Sequence, residues 1–203
     1  MQTTEILMNE HRTIEKVLLA IEGMAVKAVR DRQLDRLHAG QVIAFIRGFA
    51  DKFHHSKEED LLFVEMEAAG FPRQGGPIAV MLREHDVGRA LVGQMADVVD
   101  RAVAGDAGAL ATFSDSANQF ASLLRDHIQK EDRILYPMAD DLLGEVRQTR
   151  LIAEFAHAEE SLGGQAARTA FEESASRLSD LYAYLAPKPG PSQAGNFGCG
   201  SMC

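Results

Sequence analysis

The sequence predicts an all-α protein whose body is an up-and-down four-helix bundle. Three observations predict it: apolar residues recur at helical spacing over long stretches, Gly- and Pro-rich breaks divide those stretches, and one His/Glu pattern occurs twice. Composition agrees, since aromatics are 6%, Trp is absent, and the helix formers Ala, Leu, Glu and Arg are plentiful. At 203 residues with 46% hydrophobic content, the chain is long enough for one full core.

The first helix is expected over residues 3 to about 30. Thr3 or Thr4 caps it, and Ile6, Leu7, Ile14, Val17, Leu18, Ile21 and Ala25 form its apolar face, with His11 on or beside that face. A second helix, 34–69, runs through Leu37, Val42, Phe45, Ile46, Phe49 and Phe53 until Gly70-Phe71-Pro72 breaks it. A third starts at Pro77 or Ile78, with the proline in its first turn, and ends near Ala104. A fourth follows over about 109–143, and Pro137 is expected to bend or interrupt it. Two weaker helical pieces, 145–161 and 163–186, meet at Gly163-Gly164 and are expected to pack on one side of the bundle. The predicted organisation is therefore a bundle over 1–145, accessory helices over 146–186, and a flexible Pro/Gly-rich tail over 187–203.

Charge narrows the function classes. A net charge of −9 and a pI of about 5.2, without a basic patch, argue against nucleic-acid or anionic-membrane partners. No run of about 18 apolar residues suggests a membrane span, and the opening MQTTEILMNEHR lacks the basic start and apolar segment of a secretory signal. Both cysteines fall in the last five residues, so no disulfide framework is expected. The expected location is cytoplasmic.

Chemistry concentrates in the repeat. His54-His55-Ser56-Lys57-Glu58-Glu59 matches His127-Ile128-Gln129-Lys130-Glu131-Asp132, and in both a His stands one helical turn before a Glu. Upstream of each copy lies Glu-His: Glu10-His11 precedes the first and Glu84-His85 the second, with His-to-His intervals of 43 and 42 residues. Two antiparallel hairpins packed face to face would bring His11, His54, Glu58, His85, His127 and Glu131 to one interior. Four imidazoles and two carboxylates can hold two metal ions with the carboxylates bridging. The absence of thiolate in this set favours iron or manganese over structural zinc. Taken singly, His11 or His85 reads as an ordinary polar residue, and Lys-Glu-Glu-Asp as a solvated charge run. Two copies at matching intervals, each embedded among large apolar residues, weigh against that, because burying an unpaired Glu costs several kcal/mol.

These residues, Glu10-His11, His54 to Glu59, Glu84-His85 and His127 to Asp132 with the closing Leu135-Tyr136-Pro137, strongly resemble the hemerythrin-like (HHE cation-binding) family over about residues 3–143. The resemblance implies two iron ions in a non-haem centre of the Fe–O–Fe type, with manganese or zinc as substitutes. It implies as ligands His11, His54, Glu58, His85, His127 and Glu131. One departure stands out: oxygen-carrying members place a second His one turn after the third-helix His, where this chain has Arg89. The set is then either four His and two Glu, or completed by a neighbour. His55 is the leading candidate, with an outer or surface role as the alternative. Asp132, Glu10 and Glu84 are expected to orient imidazole N–H groups, as metal sites require, and Glu59 either does the same or serves as a further metal ligand. Glu15 pairs with His11 or lies on the surface, while His38 and His157 stand apart from the pattern.

The expected function is an oxidoreductase or stress protein reacting with O2, peroxide or nitric oxide. The alternatives are a non-catalytic O2 or iron binding or sensing protein, and an iron donor for repair of iron centres. Cys199 and Cys203 form either an exposed redox pair or two unremarkable thiols, on a tail that could serve a protein partner.

Overall fold

The structure is a computed structural model, and it describes residues 2–187. Cys199 and Cys203, and with them nearly all of the expected tail, lie outside the described residues. Six helices follow one another: α1 (Thr3–Asp31), α2 (36–68), α3 (Pro77–Val103), α4 (107–142), α5 (Glu145–Ser161) and α6 (Gly164–Tyr182), closed by a 3-10 turn at Ala183–Leu185. Helices α1 to α4 form an antiparallel ring in which α1 also meets α4, and α6 lies against α1 and α2.

Local chemistry sets the boundaries. Gln2, not Thr3 or Thr4, caps α1, in a reciprocal arrangement with Glu5. The two threonines are buried and committed elsewhere, with Thr3 Oγ1 bonded to Gln148 and Thr4 Oγ1 donating to Asp140. Asp35 caps α2 by accepting from the His38 N–H at 2.8 Å, and Asp106 caps α4 by accepting from the Ala109 N–H at 2.7 Å. Leu37, expected on the apolar face of α2, is exposed, and Leu34 takes the core position instead.

Three stretches depart from ordinary α-helix. Helix α2 is wound as π-helix over Ile46–His55 and again over Glu58–Leu62, and α4 over Glu131–Leu135. Such i→i+5 winding is rare and concentrates at functional sites. In α4 it also explains why Pro137 does not end the helix. The Tyr136 N–H bonds back to the carbonyl of Glu131, and this wider turn relieves the crowding that a proline imposes on the preceding turn.

The core is in two parts. The larger cluster includes Ile14, Val17, Phe45, Phe49, Phe53, Phe113 and Phe120; the smaller includes Leu7, Leu62, Phe63, Met81, Leu135 and Phe155. On the bundle helices His11, His54, His55, His85 and His127, with Glu58 and Glu131, lie where the two clusters meet, so a buried polar layer crosses the bundle there. Helix α6 docks closely because two glycines lack side chains. A Cβ on Gly23 would come 1.9 Å from the Tyr182 carbonyl oxygen, and one on Gly48 would come 2.6 Å from the Phe171 ring.

Candidate metal centre

Each bundle helix contributes at least one buried imidazole to the layer, beginning with His11 from α1, His54 from α2, His85 from α3 and His127 from α4. Helices α2 and α4 add Glu58 and Glu131, both fully buried. The imidazoles meet in pairs through Nε2, His11 with His54 and His85 with His127, each at 3.1 Å. The carboxylates span the pairs. Glu131 lies 3.3 Å from His11 Nε2 through Oε2 and 3.1 Å from His127 Nε2 through Oε1. Glu58 Oε2 lies 3.7 Å from His54 Nε2 and 3.5 Å from His85 Nε2. Bridging between two cations requires carboxylates placed in this way.

The outward nitrogens are held just as systematically. Each Nδ1 meets a carboxylate from a different helix: His11 with Asp132 at 2.7 Å, His54 with Glu10 at 2.9 Å, His85 with Glu59 at 2.6 Å and His127 with Glu84 at 2.9 Å. A proton on Nδ1 donated to the carboxylate leaves every Nε2 lone pair facing inward, the tautomer a metal needs. Each carboxylate is in turn paired with a cation: Asp132 with Arg12, Glu10 with Lys57 and Arg168, Glu59 with Arg89, and Glu84 with Lys130.

His55 is brought to the centre. It is 6% exposed and stacks on His85, with ring centroids 3.8 Å apart. Neighbours on an α-helix point about 100° apart, which would send one of two adjacent histidines aside. Here His54 and His55 end the longer π-helical stretch and both are buried, His54 beside His11 and His55 beside His85. The donor atoms then form two groups, His11 with His54 and Glu131, and His55 with Glu58, His85 and His127, within each of which they lie no more than 4.8 Å apart.

Electrostatics show what the layer lacks by itself. Burial, reinforced by the charge of Glu131, pushes the Glu58 carboxyl well above the usual carboxylate range. Burial acts on Glu131 in the same direction, but His127 and His11 outweigh it and hold that carboxyl well below. Burial keeps His54 and His55 well below the ordinary imidazole value, with His11 and His85 respectively adding to the effect. His127 is raised to about 9 because Glu131 and Glu84 overcome its burial. Among the described residues, Glu58 Oε2, both oxygens of Glu131 and Nδ1 of His55 are buried without a hydrogen bond. Buried polar atoms are seldom left so, and the three carboxylate oxygens converging among inward lone pairs fit bound cations, whereas His55 Nδ1 faces Asp51 Oδ1, 3.5 Å away. The residues present therefore suit a pair of metal ions held by nitrogen and oxygen donors.

The sequence-predicted residues divide cleanly. His11, His54, Glu58, His85, His127, Glu131 and His55 come together. Glu59, Asp132, Glu10 and Glu84 orient imidazoles. Glu15 does not reach His11 and accepts from Arg12 at 2.9 Å instead. His38 bonds the Tyr182 hydroxyl at 2.7 Å, fixing the end of α6, and His157 is exposed. Sequence reasoning missed Tyr136, whose hydroxyl donates to Glu58 Oε1 at 2.6 Å and whose ring stacks on His11 at 5.5 Å. It also missed the cations behind the carboxylates, although Lys57 and Lys130 occupy matching positions in the repeat and that match was the available signal. Glu159 and Arg168, which reach Lys57 and Glu10 from α5 and α6, had no signal in the motif.

Comparison with known proteins agrees with this geometry. The family description "Hemerythrin HHE cation binding domain" matches residues 2–139. The chain is 23% identical over 177 residues to "Uncharacterized protein Rv1995" of Mycobacterium tuberculosis, covering 87% of this chain and 68% of that one. A Mycobacterium bovis protein, "Uncharacterized protein Mb2018", matches to the same extent. The "Iron-sulfur cluster repair protein YtfE" of Yersinia pestis is 36% identical over 92 residues, covering 42% of this chain and 40% of that protein. No solved structure matches. With the match spanning nearly all of the bundle and the whole His/Glu layer, the chain belongs to the hemerythrin HHE cation-binding domain family.

Proposed function

We propose that this chain is a non-haem di-iron protein that reacts with O2, peroxide or nitric oxide, as an oxidoreductase of oxidative or nitrosative stress. The observation that carries this is a broken symmetry. In the repeat His55 answers to Ile128 and Tyr136 to Phe63, so the group of His85 and His127 gains a third imidazole while that of His11 and His54 gains a neighbouring hydroxyl.

On this reading His11 and His54 would hold one ion, and His55, His85 and His127 the other, with Glu58 and Glu131 shared. Bound iron supplies redox equivalents and a Lewis-acidic position for a small oxygen or nitrogen ligand. The His11 and His54 side would offer its ion fewer imidazoles, and Tyr136 stands on that side, its hydroxyl 3.4 Å from His11 Nε2. Burial and the charges of Glu131 and Glu58 push the Tyr136 pKa well above its ordinary value. The hydroxyl stays protonated, and because its one O–H is given to Glu58 Oε1, it would donate a hydrogen bond to a ligand on the His11 side only by turning from that carboxylate. Leu7, Leu62 and Phe63 belong to the apolar cluster on one side of the layer and Phe53 to that on the other, which excludes bulk water.

Stopped-flow mixing of the iron-loaded protein with hydrogen peroxide tests the proposal. A spectral change with turnover is expected, and Tyr136→Phe should slow it about a hundredfold without lowering iron content. No spectral change and no turnover would overturn it. A second reading, iron donation to damaged iron centres, rests on the likeness to the Yersinia repair protein over its matched 40%.

A further inference from the structure

One cavity is not explained by reaction with a diatomic molecule. It opens between α2, α3 and α4, with a volume of about 370 Å³, within the ~300–1,000 Å³ typical of small-molecule pockets. A molecule of two or three atoms needs only a small fraction of that. Its position also differs, because the cavity reaches the His55 and Glu84 side of the polar layer, whereas Tyr136 stands at the His11 side.

The lining has two chemistries. Ile46, Val92, Phe120 and Leu124 give it apolar walls, and Gly88 leaves space where another residue would project. A Cβ on Gly88 would come no nearer than 3.6 Å to the Phe120 ring, so the site tolerates a side chain and packing alone does not require glycine. The charged lining residues are Arg47, Lys52 and Arg89 against Asp51 and Glu84, a cationic excess on a chain of net charge −9. Glu84 is already held by Lys130, and Asp51 by Arg89 at 2.8 Å. Arg47 and Lys52 are exposed at the rim, and their side chains make no ion pair or hydrogen bond to any described residue. Deep in the cavity, His55 is nearly fully buried, its Nδ1 3.5 Å from Asp51 Oδ1.

We propose that this cavity binds a small organic carboxylate with an apolar body. The body lies along Ile46, Val92, Phe120 and Leu124, and the carboxylate meets Arg47 and Lys52. Apolar walls alone would admit any small hydrophobic molecule. The two unpaired cations select the anion, because charge-assisted hydrogen bonds to a carboxylate are the strongest such groups make. The ligand then touches His55 and Asp51 without occupying the position beside Tyr136, and its binding does not depend on which metal fills the centre.

Calorimetric titration of the metal-loaded protein with octanoate, octan-1-ol and octylammonium tests this. Octanoate is expected to bind saturably at one site per chain, at least tenfold tighter than octan-1-ol, with octylammonium weakest. Filling the cavity by Gly88→Leu, or independently by Val92→Phe should either variant fail to fold, is expected to weaken octanoate binding more than tenfold. The double variant R47Q/K52Q should bring octanoate down to the affinity of octan-1-ol while leaving the alcohol unchanged. Absence of saturable octanoate binding, equal affinity for acid and alcohol, preference for octylammonium, or unchanged binding in both filled variants would each overturn the proposal.

Discussion

Glu131→Gln is expected to reduce the metal content from about two ions per chain to one or none, measured by elemental analysis after dialysis against a weak chelator. Glu131 is the residue whose two oxygens approach both His11 and His127, at 3.3 and 3.1 Å. An amide keeps the shape, but it loses the charge and offers only one oxygen, so it cannot bridge. The comparison variant is Asp132→Asn. Asp132 touches His11 only through Nδ1, and such orienting partners typically change metal affinity about tenfold to a hundredfold without removing a donor. The account therefore expects D132N to keep two ions at saturating metal where E131Q does not. Equal retention in the two variants would mean that Glu131 is not shared between ions.

Lys57→Met should destabilise the protein by about 3 kcal/mol in urea unfolding, whereas Lys130→Met should cost about 1 kcal/mol or less. The two lysines hold corresponding carboxylates, Glu10 and Glu84, in the two halves of the repeat. Burial separates them: the Lys57 side chain is 1% exposed and that of Lys130 35%. Lys57 lies between the carboxylates of Glu10 and Glu159 and over the Phe53 ring, 4.6 Å from its centroid, beneath the C-terminal hairpin. Without it two carboxylates share the single Arg168, which leaves uncompensated buried charge. Water solvates what Lys130 leaves behind. Equal losses in the two variants would show that the hairpin does not seal this end of the layer.

The same contrast explains what the sequence conveyed. Residues spaced within one helix, or repeated at matching intervals, are readable in one dimension. His11, His54, Glu58, His85, His127 and Glu131 belong to that class, as do the bundle and its breaks. The roles of Glu10, Glu84, Glu59 and Asp132 followed because each adjoins a motif residue. Winding was not readable, because apolar periodicity does not distinguish i→i+5 from i→i+4 bonding over one or two turns. The placement of His55 depended on that winding, and so did passage of α4 through Pro137. Lys57 was hidden by its own charge, since a Lys-Glu-Glu-Asp run normally faces water and only the packing of α5 and α6 buries it. Tyr136 was hidden in an apolar run where Phe63 occupies the matching position, and the hydroxyl gains meaning only from Glu58 across the bundle. Arg89 takes on a positive role: it is not a ligand, but it ties Asp51 and Glu59, the carboxylates beside His55 and His85.

The central claim is that this polar layer holds two metal ions, one in each donor group. Anomalous diffraction at the iron absorption edge, from crystals of protein purified with iron, tests it most directly. The account predicts two peaks per chain. One should lie among His11, His54 and Glu131, and the other among His55, Glu58, His85 and His127. A single peak, none, or a second peak with His55 turned away from it would contradict the account.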